Sequence, residues 1–216
     1  WEYLPNERWF MDKDRALAFA ESRGHWQWQA PQGMAGVELI GCHFERGQSS
    51  LYQVPWRGSD VAALAHGLGA LLVEGRSVRN ASGRIVARRW NPLGELPPPV
   101  QSDSGREQSN SSVLFPGRWF VKLYRRLLPG IHPEAEMGIA LREQGYEGVP
   151  QVLGTWSLQW QGREYALGIA QEACDSAVSA WNQIGKATDS GWAYRLGAAL
   201  ANLHKASARV RKKAFL

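Results

Sequence analysis

The chain has 216 residues, which is enough for one large domain or two small ones. Its 44% hydrophobic and 21% charged residues are an ordinary globular balance, which excludes a chain that is disordered throughout. Lys and Arg number 25 against 20 Asp and Glu, so the formal net charge is +5. A charge of that size is compatible with binding a polyphosphate, but the basic residues are mostly scattered, and no motif indicates binding to RNA or DNA.

The two cysteines, Cys42 and Cys174, are far apart and have neither metal-ligand spacing nor a disulfide framework. A reducing, cytoplasmic location is the simplest interpretation. No run of about 18 apolar residues predicts a membrane span, and no signal peptide opens the chain. The 11 tryptophans are more typical of core packing than of sugar stacking.

The first elements of the chain predict a small α+β domain built on hairpins. Residues 36–44 and 49–54 are expected to be strands around a Glu-Arg-Gly-Gln turn. Asp60 is a typical N-cap for a short apolar helix over residues 61–66. Three further strands are expected, and an Asn-Ala-Ser-Gly turn joins the last two: 70–73, 77–78 and 84–88.

Residues 95–105 contain three consecutive prolines followed by Ser, Asp and Gly, which predicts a linker. We therefore expect residues 1–94 to form one domain and residues 106–173 a second. Residues 174–216 are expected to be helical.

Beyond the linker, residues 111–115 and 119–124 are expected to be strands joined by a Pro-Gly turn. A helix should begin at Pro133 and end at Gly145. The remaining expected elements are strands 152–160 and 164–170 and helices 175–184 and 192–209. This order matches the small N-lobe of a protein-kinase-like fold. The predicted class is therefore α+β, with a hairpin-rich first domain, a kinase-like N-lobe of antiparallel sheet plus helix, and the start of a helical C-lobe.

An N-lobe of this kind must supply a cation from its sheet and an anion that holds the cation. Lys122 is the candidate cation, because a lysine on an interior strand is costly unless it is paired or lines a cleft. A lysine that protects an edge strand from aggregation would explain Lys122 equally well. Glu136, on the following helix, is the candidate anion, although Glu136 and Glu134 also suit a helix N-terminus. We expect Lys122 and Glu136 to lie within about 4 Å of each other.

The N-lobe also needs a loop over the phosphates, and residues 107–112 are the candidate. Hydroxyl and amide side chains there can donate to phosphate oxygens, although clusters of Ser and Asn are commonly ordinary loops and no Gly-x-Gly-x-x-Gly motif is present. The candidate phosphate-binding residues are Ser109, Asn110, Ser111 and Ser112.

Gln171, Glu172 and Ala173 follow the last predicted strand. A kinase hinge at this position would present backbone groups to adenine. The alternative is a plain strand end with two exposed polar residues.

Together these stretches resemble the maltokinase family, which comprises actinomycete-type kinases related to aminoglycoside phosphotransferases. The resemblance is most specific over residues 107–112, over the run Phe-Val-Lys-Leu-Tyr-Arg-Arg at 120–126, and over Pro129, Gly130, Pro133 and Glu136. Leu4-Pro5, Arg8-Trp9-Phe10 and Tyr52-x-Val54-Pro55 resemble the family's N-terminal cap. Residues 1–94 are therefore expected to be a cap that packs on the N-lobe and buries Trp9 and Trp90.

The resemblance implies that ATP and Mg²⁺ are cosubstrates and that the γ-phosphoryl group passes to a sugar hydroxyl. Maltose, converted to maltose 1-phosphate for α-glucan (glycogen) synthesis, is the leading acceptor. Glucosamine or another sugar is the alternative. The resemblance also implies possible fusion or association with trehalose synthase.

The sequence departs from the family after the predicted hinge. The family's catalytic loop is His-Gly-Asp, followed by an Asn or Gln and a metal-binding Asp. Here only Asp175 and Asp189 are available, and neither follows a His-x pair, while His204 precedes Lys-Ala. The resemblance therefore assigns no catalytic residue and no metal ligand to this chain, which we expect to be inactive alone.

Two other functions stay open. One is a non-catalytic nucleotide-binding half-kinase that acts with a partner. The other is an antibiotic phosphotransferase, against which the cap motif argues. An apolar stripe on the last helix, formed by Leu196, Ala199, Leu200 and Leu203, predicts a partner surface or self-association.

Overall fold

The computed structural model describes residues 1–58, 60–96, 98, 109–115, 117–174 and 190–210. These residues contain two antiparallel sheets and three α-helices, which confirms the predicted α+β class. The chain divides into two compact units. The first is Trp1–His132 with Val152–Ala173, and the second is Pro133–Gln151 with Cys174–Leu216.

The smaller sheet of the first unit has four antiparallel strands in the order β1-β2-β3-β8. Their bounds are β1 Leu17–Ala30, β2 Gly33–Phe44, β3 Ser50–Pro55 and β8 Arg126–Leu127. The strands predicted at 36–44 and 49–54 are confirmed as β2 and β3. Strand β1 was not predicted, because its first half begins with the apolar run Leu-Ala-Phe-Ala and shows no alternation of apolar and polar residues. Its pairing with β2 also carries an irregularity between Ser22 and Gly24. Buried and exposed residues alternate clearly only from Trp26 onward.

Helix α1 spans Val61–Glu74 and starts at Asp60, whose carboxylate accepts hydrogen bonds from the Ala62 and Ala63 amides. Gly75 ends the helix in the left-handed conformation, at φ 65°. The strand predicted over 70–73 is wrong, because those residues are the last turn of α1. The Ala- and Leu-rich run behind a strong N-cap favours helix, and its two internal glycines do not end it.

The larger sheet of the first unit has six strands in the order β4-β5-β9-β10-β7-β6. Their bounds are β4 Ser77–Arg79, β5 Gly83–Arg89, β6 Asn110–Phe115, β7 Trp119–Tyr124, β9 Val152–Trp160 and β10 Arg163–Glu172. Each neighbouring pair is antiparallel, which confirms the three predicted hairpins. Most of the predicted linker, and Pro116 of the predicted turn, lie outside the described residues.

Helix α1 packs between the two sheets and joins them in one hydrophobic core. The indole of Trp28, on β1, donates to the Gly67 carbonyl at 3.1 Å. On the other side of the helix, the indole of Trp156, on β9, donates to the Leu68 carbonyl at 2.8 Å. The core includes Val37 from β2 and Val121 from β7, so residues from both sides of the predicted linker share it. The expected packing of the cap on the N-lobe is therefore confirmed.

A second apolar cluster fixes the N-terminal segment on the smaller sheet. Leu4 and Phe10 pack with Ile40, Cys42 and Tyr52, and Trp9 lies partly buried against them. Trp90 was expected to be buried as well, and this is wrong, since 47% of it is exposed. Its indole instead donates to the Thr155 hydroxyl at 3.1 Å on the surface.

The second unit contains helices α2, Pro133–Glu143, and α3, Ser190–Arg209. Both confirm predicted helices, whereas the helix predicted over 175–184 lies outside the described residues. On α3, Leu196 and Leu200 are 36% and 47% exposed. Within the described part of the chain, no helix has the length and apolar character that crossing a membrane requires.

The close packing of α1 on β2 predicts a strong size limit at Gly67. A Cβ there would collide with the Cβ of Ala35, a backbone-fixed atom. We expect Gly67→Ala to lower the free energy of unfolding by about 1–2 kcal/mol, because overpacking outweighs the gain in helix propensity. Urea unfolding followed by circular dichroism measures this.

The matched control is Gly197→Ala on α3, where an added Cβ meets no atom within 4 Å. That substitution should leave stability unchanged or raise it. An equal loss in both variants would contradict the packing argument.

Candidate functional site

Lys122 lies on an interior strand of the larger sheet. Strand β7 is flanked by β10 and β6, with Lys122 paired opposite Ile169 and Ser112. The edge-strand explanation for this lysine is therefore wrong. The side chains of Val121 and Leu123 belong to the core that includes α1. Because side chains alternate along a strand, the side chain of Lys122 lies on the opposite face of the sheet, where it is half-buried.

Three of the six residues of the predicted phosphate loop belong to a strand. Asn110, Ser111 and Ser112 belong to β6, and Ser109 directly precedes it. Glu107 and Gln108 lie outside the described residues.

Two of these serines occupy different surroundings. Ser112 is buried directly opposite Lys122. Ser111 is also buried, and its hydroxyl accepts a hydrogen bond from Nε of Arg125 at 2.7 Å. A contact between Ser111 and a phosphate therefore stays a prediction. The phosphate would have to compete with Arg125 for the Ser111 hydroxyl.

The predicted hinge residues lie beside the start of β7. Gln171 pairs with Phe120 and Glu172 with Trp119. The Ala173 amide donates to the Arg118 carbonyl at 3.1 Å. Glu172 is three positions along β10 from the partner of Lys122, a separation of roughly 10 Å along the sheet. The lysine and the candidate hinge thus lie on two adjacent strands, with the candidate hinge at the end of β10.

Glu136 lies in the first turn of α2, together with Glu134. This helix belongs to the second compact unit, whereas Lys122 belongs to the first. The expected ion pair between Lys122 and Glu136 stays a prediction.

Sequence reasoning missed a buried glutamine that links the two sheets. The side-chain amide of Gln53, on β3, donates to the carbonyl of Tyr124 at 2.7 Å and to the carbonyl of Leu167. The Gln53 backbone amide donates to the carbonyl of Arg125 at 2.8 Å. Strand β3 is thereby attached to β7, which carries Lys122, and to β10, which leads to the candidate hinge. The available signal was a single amide side chain within the otherwise apolar Leu-Tyr-Gln-Val run.

Arg125 completes this junction where β7 passes into β8. It is only 3% exposed, and in the described part of the chain no carboxylate forms an ion pair with it. Its Nη1 donates to the Gln53 carbonyl at 3.4 Å, and its guanidinium lies 4.7 Å from the ring centroid of Trp9. Burial lowers the pKa of Arg125 to about 10, so it remains charged at neutral pH.

A buried cation of this kind requires its polar partners to stay in place. Its partners come from the N-terminal segment, β3 and β6. The Gln53–Arg125 junction, meaning these two residues with Ser111 and Trp9, therefore fixes the cap against the strands of the candidate site.

No group of three or more His, Cys, Asp or Glu side chains that could hold a metal occurs among the residues the structure describes. These described residues therefore do not fit a Mg²⁺ site.

Residues 3–81 match the family model of the maltokinase N-terminal cap domain. The cap expected from the sequence is therefore confirmed over this part of the chain.

Solved structures of a glucosamine kinase share the fold. A glucosamine kinase in its crystal form A aligns with a TM-score of 0.55 and 18% identity, and the alignment covers 87% of this chain and 45% of that chain. A glucosamine kinase in complex with glucosamine, ADP and inorganic phosphate aligns with a TM-score of 0.57 and 17% identity, and the alignment covers 94% of this chain and 49% of that chain. The chain thus spans about half the length of these structures.

The Gln53–Arg125 junction predicts that removing the Gln53 side-chain amide strongly lowers the stability of the protein. Gln53→Leu keeps the side-chain volume but leaves the Tyr124 and Leu167 carbonyls without this donor. We expect the free energy of unfolding to fall by about 1–3 kcal/mol, the cost of unsatisfied buried polar groups. Chemical denaturation of both proteins gives the difference.

Gln27→Leu on β1 is the control, since Gln27 is exposed. Its effect should stay within about 0.5 kcal/mol. If Gln53→Leu is equally mild, the junction does not hold the sheets together as described.

Proposed function

We propose that this chain is the ATP-binding part of a maltokinase-like sugar kinase. In the intact enzyme, the γ-phosphoryl group of ATP would pass to a hydroxyl of maltose and form maltose 1-phosphate. The observation that carries the proposal is Lys122 on an interior strand, next to the strand end at Gln171, Glu172 and Ala173. The maltokinase-type cap and the shared glucosamine kinase fold support it.

In this proposal the chain's own residues bind and orient the nucleotide. The Lys122 ammonium neutralises phosphate charge, and Glu136 holds that ammonium in position. The Ser109 and Ser112 hydroxyls and the Asn110 amide donate to phosphate oxygens. The backbone groups of residues 171–173 bind adenine. ATP supplies the phosphoryl group when bound.

The sequence contains no His-Gly-Asp loop. We therefore assign the general base, the Mg²⁺ ligands and the acceptor site to a C-lobe of the intact kinase. Maltose is the leading acceptor, with glucosamine or another sugar as the alternative. If maltose is the acceptor, the proposal also includes association with trehalose synthase, a role in α-glucan synthesis and a cytoplasmic location.

A half-kinase that binds nucleotide but works with a separate partner is the second candidate. The exposed apolar residues of α3 favour it, since Leu196 and Leu200 lie one turn apart and present a surface that another protein could cover. A covered α3 in a complex with a separately encoded C-lobe would support this candidate, and an HGD-type loop downstream in the same gene would support the first.

Nucleotide binding should depend on Lys122. We expect Lys122→Met to weaken binding of a non-hydrolysable ATP analogue about tenfold or more, because a charge-assisted contact is lost. Isothermal titration calorimetry of the whole chain measures the change. Lys205→Met, at an exposed position of α3, is the control and should bind as the parent does. Equal affinity in all three proteins would refute the lysine's role.

The chain alone should not phosphorylate sugars. Without the base and metal ligands of the family's catalytic loop, the rate should be lower by several orders of magnitude. ADP release with maltose or glucosamine as acceptor measures it, and we expect background levels even where the ATP analogue binds. Sustained, maltose-dependent ADP production would show that the catalytic residues are elsewhere in this sequence.

A further inference from the structure

A pocket of about 410 Å³ opens between the N-terminal segment and the start of β6. All of it belongs to the first compact unit. Its lining residues are Arg8, Phe10, Met11, Lys13 and Ser109. Four of the five come from the N-terminal segment of the cap, and of these four only Phe10 belongs to the second apolar cluster.

The two cations of this pocket are available for a ligand. Arg8 and Lys13 are exposed, and neither forms an ion pair or a side-chain hydrogen bond with another residue in the part of the chain that the structure describes. The remaining polar group is the Ser109 hydroxyl. None of the lining residues that the structure describes is a carboxylate. Two cations and a hydroxyl, with no countercharge among these residues, favour an anion.

The carboxylate between these cations in the sequence faces away from them. Asp12 is 4% exposed and accepts a hydrogen bond from the Tyr52 hydroxyl at 2.6 Å. It also forms an ion pair with Arg15 at 2.9 Å. Asp12 is thus satisfied inside the protein, and its charge does not oppose an anion at Arg8 and Lys13.

The segment that carries the cations is fixed at two points. Asp12 is one, and Phe10 is the other, stacked on the ring of Tyr52 with centroids 4.9 Å apart. Binding there would require little ordering of the backbone, which lowers the entropic cost of association.

The pocket's shape and lining narrow the class of anion. Its volume lies within the roughly 300–1,000 Å³ of small-molecule sites. Arginine can bind two oxygens of a phosphate at once, and lysine adds a point charge. Phe10 and Met11 give an apolar wall, which suits an anion that carries an organic group.

We propose that this pocket binds the phosphate group of a small phosphorylated molecule. The proposal depends on Arg8 and Lys13 and not on nucleotide binding at Lys122. Ser109 is common to the pocket and to the candidate phosphate loop, so a ligand here would touch the residue at which that loop enters β6. The phosphate could belong to a sugar phosphate or to a nucleotide.

Titration calorimetry of the whole chain tests the proposal with three probes: inorganic phosphate, glucose 6-phosphate and a non-hydrolysable ATP analogue. The variant is Arg8→Gln/Lys13→Gln, and Ser109→Ala is a second, milder one. The control is Arg79→Gln/Lys205→Gln, which removes the same charge at exposed sites outside the pocket. We expect at least one probe to bind the double variant tenfold or more weakly and Ser109→Ala more weakly than the parent. The control should be unchanged, and all proteins should melt alike.

The pattern of loss identifies the source of the phosphate. If the double variant loses affinity only for glucose 6-phosphate and inorganic phosphate, the natural ligand is a sugar phosphate. If it loses affinity only for the ATP analogue, the ligand is a nucleotide. Lys122→Met separates this site from the proposed function, since it should weaken the ATP analogue but leave inorganic phosphate unaffected. If no probe binds the parent, or if the Arg8→Gln/Lys13→Gln variant binds all probes like the control, the proposal is overturned.

Discussion

The buried Arg125 guanidinium is the constraint on which the candidate site depends. A cation with so little exposure is tolerable only if its donors are satisfied, and its partners come from three separate parts of the chain. Arg125 contacts β6 through Ser111, β3 through Gln53 and the N-terminal segment through Trp9. Because Arg125 directly follows β7, these contacts also determine where Lys122 lies.

The cap and the strands of the larger sheet consequently belong to one compact unit in this protein. The family model of the cap ends at residue 81, inside the β4–β5 hairpin that pairs with β9. Helix α1, which comes from the cap, supplies the core for one face of the sheet whose other face carries Lys122. A change in the cap can therefore reach the candidate site through β3 and Gln53 without any direct contact with a ligand.

The sequence predicted those elements whose pattern was local. Apolar strands flanked by turn residues were placed to within a few residues, and the cap and N-lobe were recognised from short motifs. Strand β1 was missed because apolar and polar residues do not alternate in its first half. Residues 70–73 were taken for a strand because a short apolar run fits either element. Gln53 and Arg125 could not be identified, since their roles depend on partners that are distant in the sequence. The exposure of Trp90 was missed for the same reason.

The most direct test of the account is hydrogen–deuterium exchange of the whole chain with and without a non-hydrolysable ATP analogue. The account predicts increased protection of the amides of residues 109–124 and 168–174, with α3 unchanged. Protection that is absent from both segments while the analogue is bound would contradict the placement of the nucleotide beside Lys122 and the end of β10.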